Sequence, residues 1–143
     1  MGMTHQEIVD ILWKNPSLIK SAMGWDTIWV KAKEFRYNSQ TEERADMVVQ
    51  NQYNPSLILP GTICAVIEVK SDKADHEVLG QLTKAVRIFD LIGNQTQFWE
   101  STTGIAIAPA FTASAVELLR SEKYTALEMV SHSSGFILSK VKG

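Results

Sequence analysis

One segment, residues 62–70, constrains the fold of this chain more than any other. It reads Thr-Ile-Cys-Ala-Val-Ile-Glu-Val-Lys, and its small and β-branched residues carry no charge until Glu68. Such a composition is typical of a buried strand. Because side chains alternate across a strand, Glu68 and Lys70 share one face, about 6.5 Å apart along it. The segment therefore predicts an apolar strand that ends in a carboxylate and an ammonium group.

A second apolar run, residues 44–50, contains Asp46 and predicts a neighbouring strand. Pairing of the two strands would bring the carboxylates of Asp46 and Glu68 together. Charged groups at the end of an apolar strand are costly unless they are paired or hold a metal ion. Two carboxylates on rigid backbone suit Mg²⁺, which takes its remaining ligands from water and substrate phosphate. We interpret Asp46, Glu68 and Lys70 as a site that hydrolyses phosphodiesters with a divalent cation; a structural ion pair is the alternative.

The rest of the sequence predicts one α/β domain over residues 1–143. A capping box at Thr4 and Glu7 opens the first helix and explains Glu7 without a catalytic role. Gly93 is the expected C-terminal stop of the longest helix. The expected helices are 4–14, 16–22, 75–92 and one that begins at 112 or 114. The expected strands are 27–37, 44–50, 62–70, 104–108, an edge strand at 126–130, and 136–138, with a loop or hairpin extension at 52–61.

Composition and charge limit the classes of protein to consider. The chain has 143 residues, 45% of them apolar, which supports one domain with a sizeable core. It lacks the features of a signal peptide, and no apolar run is long enough to span a bilayer, so we expect a cytoplasmic protein with no membrane partner. A net charge of −2 argues against a tight non-specific duplex binder. A metallonuclease tolerates this charge because its carboxylates need bound cations.

The motifs, taken in order, resemble those of the PD-(D/E)XK nuclease superfamily, and within it the catalytic domain of NucS/EndoMS endonucleases. The likeness covers roughly residues 25–130, and its pieces are Arg44-Ala45-Asp46-Met47, Ile67-Glu68-Val69-Lys70, Gly80-Gln81-Leu82 and Gly104-Ile105-Ala106-Ile107-Ala108-Pro109. The resemblance implies a restriction-endonuclease-like core, with a central mixed β-sheet flanked by helices. NucS proteins have an additional N-terminal DNA-binding domain for which 143 residues leave no room, so mismatch recognition is not implied.

Metal ligands follow from the same resemblance. Asp46 and Glu68 match the two acids, and the expected cofactor is Mg²⁺, for which Mn²⁺ would substitute. The backbone carbonyl of Val69 is expected to assist them. Glu34 is a further candidate ligand, since an upstream acid often lies near the metal in these enzymes; an exposed strand carboxylate is an equal alternative.

Two more residues have expected catalytic roles. Lys70 would position the attacking water or stabilise charge on the phosphate. Gln81 falls where many members carry a glutamine in the helix after the catalytic strand, and a polar residue at a helix edge is the alternative. The position four residues later, often a tyrosine, is Ala85 here.

The implied function is a Mg²⁺-dependent DNA endonuclease that leaves 5′-phosphate and 3′-hydroxyl ends, structure-specific in repair or recombination. A sequence-specific restriction or homing enzyme, or a catalytically silent nucleic-acid-binding module of the same fold, are the alternatives. We expect a homodimer, because cutting two strands takes two sites. Its candidate interface residues could equally be core, and they are Trp13, Trp25, Phe111 and Phe136. The histidines lack metal-ligand spacing and are expected to be isolated surface residues; they are His5, His76 and His132.

Overall fold

A computed structural model of the chain describes residues 2–36, 44–52, 61–96, 98–133 and 135–142. The side chains of residues 31 and 34–36 also lie outside the description. Most of the predicted loop at 52–61 therefore falls outside the described residues. The sequence also predicts that side chains alternate along the strand 27–37, with Lys31 and Phe35 on one face, and these two side chains lie outside the described residues as well.

Six strands of the described chain form one mixed sheet, in which spatial order follows sequence order. The strands are β1 (Trp29–Arg36), β2 (Arg44–Gln50), β3 (Ile63–Val69), β4 (Ser101–Ala108), β5 (Thr125–His132) and β6 (Gly135–Lys140). Strands β3, β4 and β5 are parallel, and the β1–β2, β2–β3 and β5–β6 pairs are antiparallel. One end of the sheet consequently contains the carboxyl ends of β3, β4 and β5 and the start of β2.

Helices cover both faces of the sheet. They are α1 (His5–Lys14), α2 (Ser17–Met23), α3 (Glu77–Thr96) and α4 (Ala113–Ser121). Apolar side chains of α1 and α2 pack on one face, in a core with Met47, Ile67 and Ile107. Those of α3 and α4 form two further apolar clusters, with Val66 and Ala106 among their strand residues. The fold is α/β and restriction-endonuclease-like, as the sequence predicts.

Local signals place the helix starts correctly. The capping box at Thr4 is formed, since the Thr4 side chain accepts the Glu7 N–H and the Glu7 side chain accepts the Thr4 N–H. Thr112 caps α4 in the same way through the N–H of Ala115. Of the helices in the described residues, none combines the length and the apolar character that a membrane crossing requires.

The prediction that the long helix stops at Gly93 is wrong, because α3 continues to Thr96. Gly93 serves packing instead of ending the helix. A Cβ placed on it would lie 2.2 Å from Nε1 of Trp99, so the indole occupies the space that any side chain at 93 would need. The Trp99 N–H also donates to Thr102 Oγ1 at 3.0 Å, which fixes the indole against the helix.

Two predictions about strands also need correction. The segment around 126–130 is not an edge strand: β5 lies between β4 and β6, and residues 135–140 form the edge. At the opposite edge, the pairing of β1 with β2 shifts between Val30 and Ala32. Such a β-bulge interrupts the strict alternation of faces that the sequence pattern assumes for 27–37.

Candidate active site

Asp46 lies where the pairing of β2 with β3 ends. The paired register runs from Gln50 opposite Cys64 to Met47 opposite Ile67, and Asp46 is the next residue of β2. Its Oδ2 accepts a hydrogen bond of 2.6 Å from the backbone N–H of Val69. The Asp46 carboxylate thus replaces a backbone carbonyl as the acceptor at the end of the ladder, which fixes it beside β3 with only 8% of its side chain exposed.

Glu68 and Lys70 lie at the same end of β3. Oε1 of Glu68 is 3.8 Å from Nζ of Lys70, and the two side chains are 14% and 32% exposed. Burial raises the pKa of Glu68 from 4.5 to about 8, the negative charge of Asp46 adds to the rise, and the positive charge of Lys70 opposes it. Burial together with the neighbouring Asp46 therefore makes Glu68 harder to ionise when no cation is present.

A further side chain at this site comes from α1. Nε2 of His5 is 2.9 Å from Oδ1 of Asp46. His5 is 43% exposed, so it does lie at the surface, but the expectation that it is isolated is wrong. The sequence carries a signal for this position: His5 precedes the buried Ile8 and Val9 by three and four residues and therefore continues the sheet-facing stripe of the helix.

Backbone contacts hold the chain that follows Lys70. The Lys70 N–H donates to the Ile107 carbonyl at 2.8 Å, and Ala74 exchanges backbone hydrogen bonds with the connection between β4 and α4. Asp75 Oδ1 then accepts the hydroxyl of Thr112 at 2.9 Å and the backbone N–H of His76 at 2.7 Å. These hydrogen bonds lower the pKa of Asp75. Hydrogen bonds therefore fix the connection from β3 to α3 against β4 and against the connection between β4 and α4.

The other predicted site residues are less closely placed. Gln81 lies on the second turn of α3 with an exposed side chain, and the contacts described for Asp46, Glu68 and Lys70 do not include it. Glu34 belongs to β1, but its side chain is outside the description. The roles of Gln81, of Glu34 and of the Val69 carbonyl stay predictions. The structure brings together Asp46, Glu68 and Lys70, and it adds His5.

These residues fit a divalent cation by the chemistry of their donor atoms. No three or more His, Cys, Asp or Glu side chains are already grouped as a metal site within the described ranges. Mg²⁺ needs fewer protein ligands than this, since it binds through one or two carboxylates and keeps several waters. A cation between Asp46 and Glu68 would also offset both causes of the raised pKa of Glu68, its burial and the negative charge of Asp46.

A mixed sheet with helices on both faces, and with acids at the carboxyl end of a central strand, is the architecture of a restriction-endonuclease-like fold. No family model matches the sequence, and no curated protein matches it either. Solved structures, in contrast, resemble the chain over nearly its whole length.

Three of these structures are repair endonucleases or EndoMS proteins. A crystal structure of a repair endonuclease from Pyrococcus abyssi has a TM-score of 0.62 and 19% identity, covering 90% of this chain and 47% of its own. A complex of EndoMS with double-stranded DNA has a TM-score of 0.63 and 18% identity, covering 92% and 48%. EndoMS in its apo form has a TM-score of 0.62 and 17% identity, covering 93% and 49%.

The likeness confirms the fold and the resemblance to NucS/EndoMS endonucleases that the motifs indicate. At 17–19% identity the agreement is one of fold, and the chain spans about half the length of the structures it matches. Chemistry must therefore be argued from the residues of this chain.

Proposed function

We propose that this protein is a divalent-cation-dependent endonuclease that hydrolyses DNA phosphodiester bonds at Asp46, Glu68 and Lys70. One observation carries the proposal: the two acids lie at the ends of adjacent strands, and a lysine Nζ is 3.8 Å from Glu68 Oε1. The fold is one that repair endonucleases share. Charged groups that are gathered in one place and perturb each other's pKa are typical of catalytic sites.

The acids have the role of cation ligands. Asp46 and Glu68 would hold Mg²⁺, for which Mn²⁺ substitutes, together with the Val69 carbonyl. The cation, when bound, polarises the phosphate and makes water a stronger nucleophile. The hydrogen bond from the Val69 N–H fixes the orientation of Asp46 in advance. Glu68 has to release its proton before it can bind the cation, because only the carboxylate is a good ligand.

Lys70 acts on the substrate side of the site. Its ammonium group is held near Glu68 by charge, and its backbone is fixed to β4 through the Ile107 carbonyl. From this position Lys70 orients the attacking water or stabilises the extra negative charge on the phosphate in the transition state. The expected products have 5′-phosphate and 3′-hydroxyl ends.

DNA of irregular structure, met in repair or recombination, is the proposed substrate. The support is the fold, which is shared with a repair endonuclease and with EndoMS bound to double-stranded DNA. The net charge of −2 agrees with an enzyme that selects a DNA structure instead of holding any duplex tightly.

We also propose a homodimer, because one chain offers one such site and cuts in two strands take two. Among the four aromatic residues considered for its interface, Trp13 is 38% exposed. Phe136 is in the core at 6% exposure, and Trp25 and Phe111 are partly buried against apolar clusters. Trp13 is therefore the one of the four that remains a strong candidate for a subunit contact.

A cleavage assay on several DNA structures tests the proposed function. Labelled junction, flap, mismatched, plain duplex and single-stranded DNA are incubated with the purified chain and Mg²⁺ or Mn²⁺. We expect the wild-type protein to cut at least one of them and Glu68→Ala to cut none, with an unchanged circular dichroism spectrum. Glu100→Ala, which removes an exposed carboxylate before β4, is the matched control and should cut normally. Cleavage by Glu68→Ala at the wild-type rate would refute the assignment.

A further inference from the structure

His5 contacts the candidate site, and none of the roles proposed above uses it. Its Nε2 is 2.9 Å from Oδ1 of Asp46. The other carboxylate oxygen, Oδ2, accepts the Val69 N–H at 2.6 Å. Asp46 is consequently held in one orientation, in which Oδ1 is the oxygen that faces the imidazole.

The position of the imidazole is fixed by α1. His5 is the first residue of this helix and lies three, four and seven residues before Ile8, Val9 and Leu12, which are at most 1% exposed. These apolar side chains anchor the helix to the sheet, and the capping box described above closes its first turn. The imidazole therefore projects from a rigid element toward the end of the sheet, yet at 43% exposure it stays accessible to an ion from solvent.

The distance between His5 and Asp46 matches the spacing of two metal ligands. In an octahedral shell with bonds of about 2.1 Å, neighbouring ligand atoms lie about 3.0 Å apart. The separation of 2.9 Å between Nε2 of His5 and Oδ1 of Asp46 is nearly the same. One cation can therefore bind both atoms once the imidazole has turned so that its nitrogen lone pair points at the cation instead of at Oδ1.

We propose that His5 is a protein ligand of the cation beside Asp46 and Glu68, and that its nitrogen makes the site prefer Mn²⁺ to Mg²⁺. This inference rests on the proposed function, since it assumes that the two acids bind a cation. Mg²⁺ takes oxygen ligands, whereas Mn²⁺ suits carboxylates too but, as a first-row transition metal, also accepts an imidazole nitrogen beside them. The nitrogen from α1 thus reverses the order expected from the sequence, in which Mg²⁺ is the cofactor and Mn²⁺ its substitute.

Calorimetric titration of the metal-free chain with Mn²⁺ and with Mg²⁺ tests the ligand role without any cleavage reaction. Losing even a partner of a metal ligand costs about 10–100-fold in affinity, so His5→Ala should weaken Mn²⁺ binding by at least about tenfold. Mg²⁺ binding should change by less than about threefold, because Mg²⁺ gains little from nitrogen. His132→Ala is the matched control, since His132 is an exposed histidine on β5, which β4 separates from β3. It should bind both cations like the wild type.

Pulsed electron paramagnetic resonance of the Mn²⁺-loaded chain gives a direct reading of the ligand. We expect a hyperfine coupling between Mn²⁺ and a ligand nitrogen in the wild type and in His132→Ala, and no such nitrogen coupling in His5→Ala. His5→Gln, which can still form a hydrogen bond to Asp46 but has no imidazole, should lose the coupling as well. Alanine and glutamine both favour helix, so neither variant should unfold α1.

The outcomes separate this inference from the proposed function. Equal Mn²⁺ affinity in the wild type and His5→Ala, or a wild-type spectrum without nitrogen coupling, overturns the role of His5 and leaves the two-acid site intact. Absence of Mn²⁺ and Mg²⁺ binding in the wild type overturns both proposals together.

Discussion

Glu68→Gln should stabilise the metal-free protein, and more strongly as the pH rises. The folded chain raises the pKa of Glu68 from 4.5 to about 8, so the folded state favours the protonated form. Protonated Glu68 thus contributes to the free energy of unfolding. This contribution is fully present below pH 4.5 and is lost as the pH rises through about 8. Glutamine has nearly the same shape and cannot ionise, so the variant keeps the stability that the wild type loses.

The size of the effect follows from the pKa change. One pKa unit corresponds to about 1.4 kcal/mol, so the change from 4.5 to about 8 amounts to about 5 kcal/mol at full ionisation. Between pH 5 and pH 8.5, ionisation of Glu68 would lower the free energy of unfolding of the wild type by roughly 4 kcal/mol. The side chain is 14% exposed, and the water that reaches it makes this loss smaller. We expect the advantage of Glu68→Gln in unfolding free energy to grow by roughly 2–4 kcal/mol over this range.

Urea unfolding at both pH values, in the presence of a chelator, measures this difference. The titrating groups that do not interact with Glu68 are common to the two proteins, so their contributions cancel in the comparison. Glu100→Gln, at an exposed carboxylate, should show no growth with pH. Adding Mn²⁺ should restore the wild type at pH 8.5, because a ligand that binds only the folded state stabilises it. A stability difference that is the same at both pH values would refute the argument that the Glu68 charge is buried and uncompensated.

Three more predictions follow from other parts of the chain. Lys70→Ala should lose most cleavage yet still bind Mn²⁺ in calorimetry, because lysine is not a ligand; loss of Mn²⁺ binding would make Lys70 a structural partner of the acids. Gly93→Ala should lower the free energy of unfolding in urea by about 1–3 kcal/mol, because the Trp99 indole fills the space that the new methyl group needs. Gly80→Ala in the same helix is the control: its methyl group meets no atom within 4 Å, so it should raise the free energy of unfolding by up to about 1 kcal/mol. Light scattering should give twice the mass of 16.0 kDa, and a monomer with and without DNA would rule out paired cuts by a stable dimer.

The centre of this fold could be predicted from the sequence because its signals are local. An uncharged run of small and β-branched residues favours a buried strand, and β3 follows it closely. Two apolar runs near each other in sequence favour pairing, which brings Asp46 to the end of β3 beside Glu68. Caps at Thr4 and Thr112 are equally local, since they involve residues three positions apart.

What the sequence did not predict depends on how separate segments pack against one another. Whether Gly93 ends a helix or receives an indole is decided by Trp99, six residues later in the connection between α3 and β4. The contact of His5 with Asp46 spans 41 positions and depends on how α1 packs on the sheet. The pairing that makes β5 internal depends on β6, whose exposed and buried residues alternate too briefly to settle its place. Local propensity carries no information about any of these three contacts.

The most direct test of the proposed chemistry is the cleavage rate of labelled DNA as a function of Mn²⁺ concentration, for the wild type and for Asp46→Asn. Asparagine keeps an acceptor for the Val69 N–H and removes the charge that binds the cation. We expect no cleavage in chelator, a saturable rise in the cleavage rate with Mn²⁺ in the wild type, and a rate at least about a hundredfold lower in Asp46→Asn. Cleavage that is independent of the cation, or equal rates in the two proteins, would contradict the proposed chemistry.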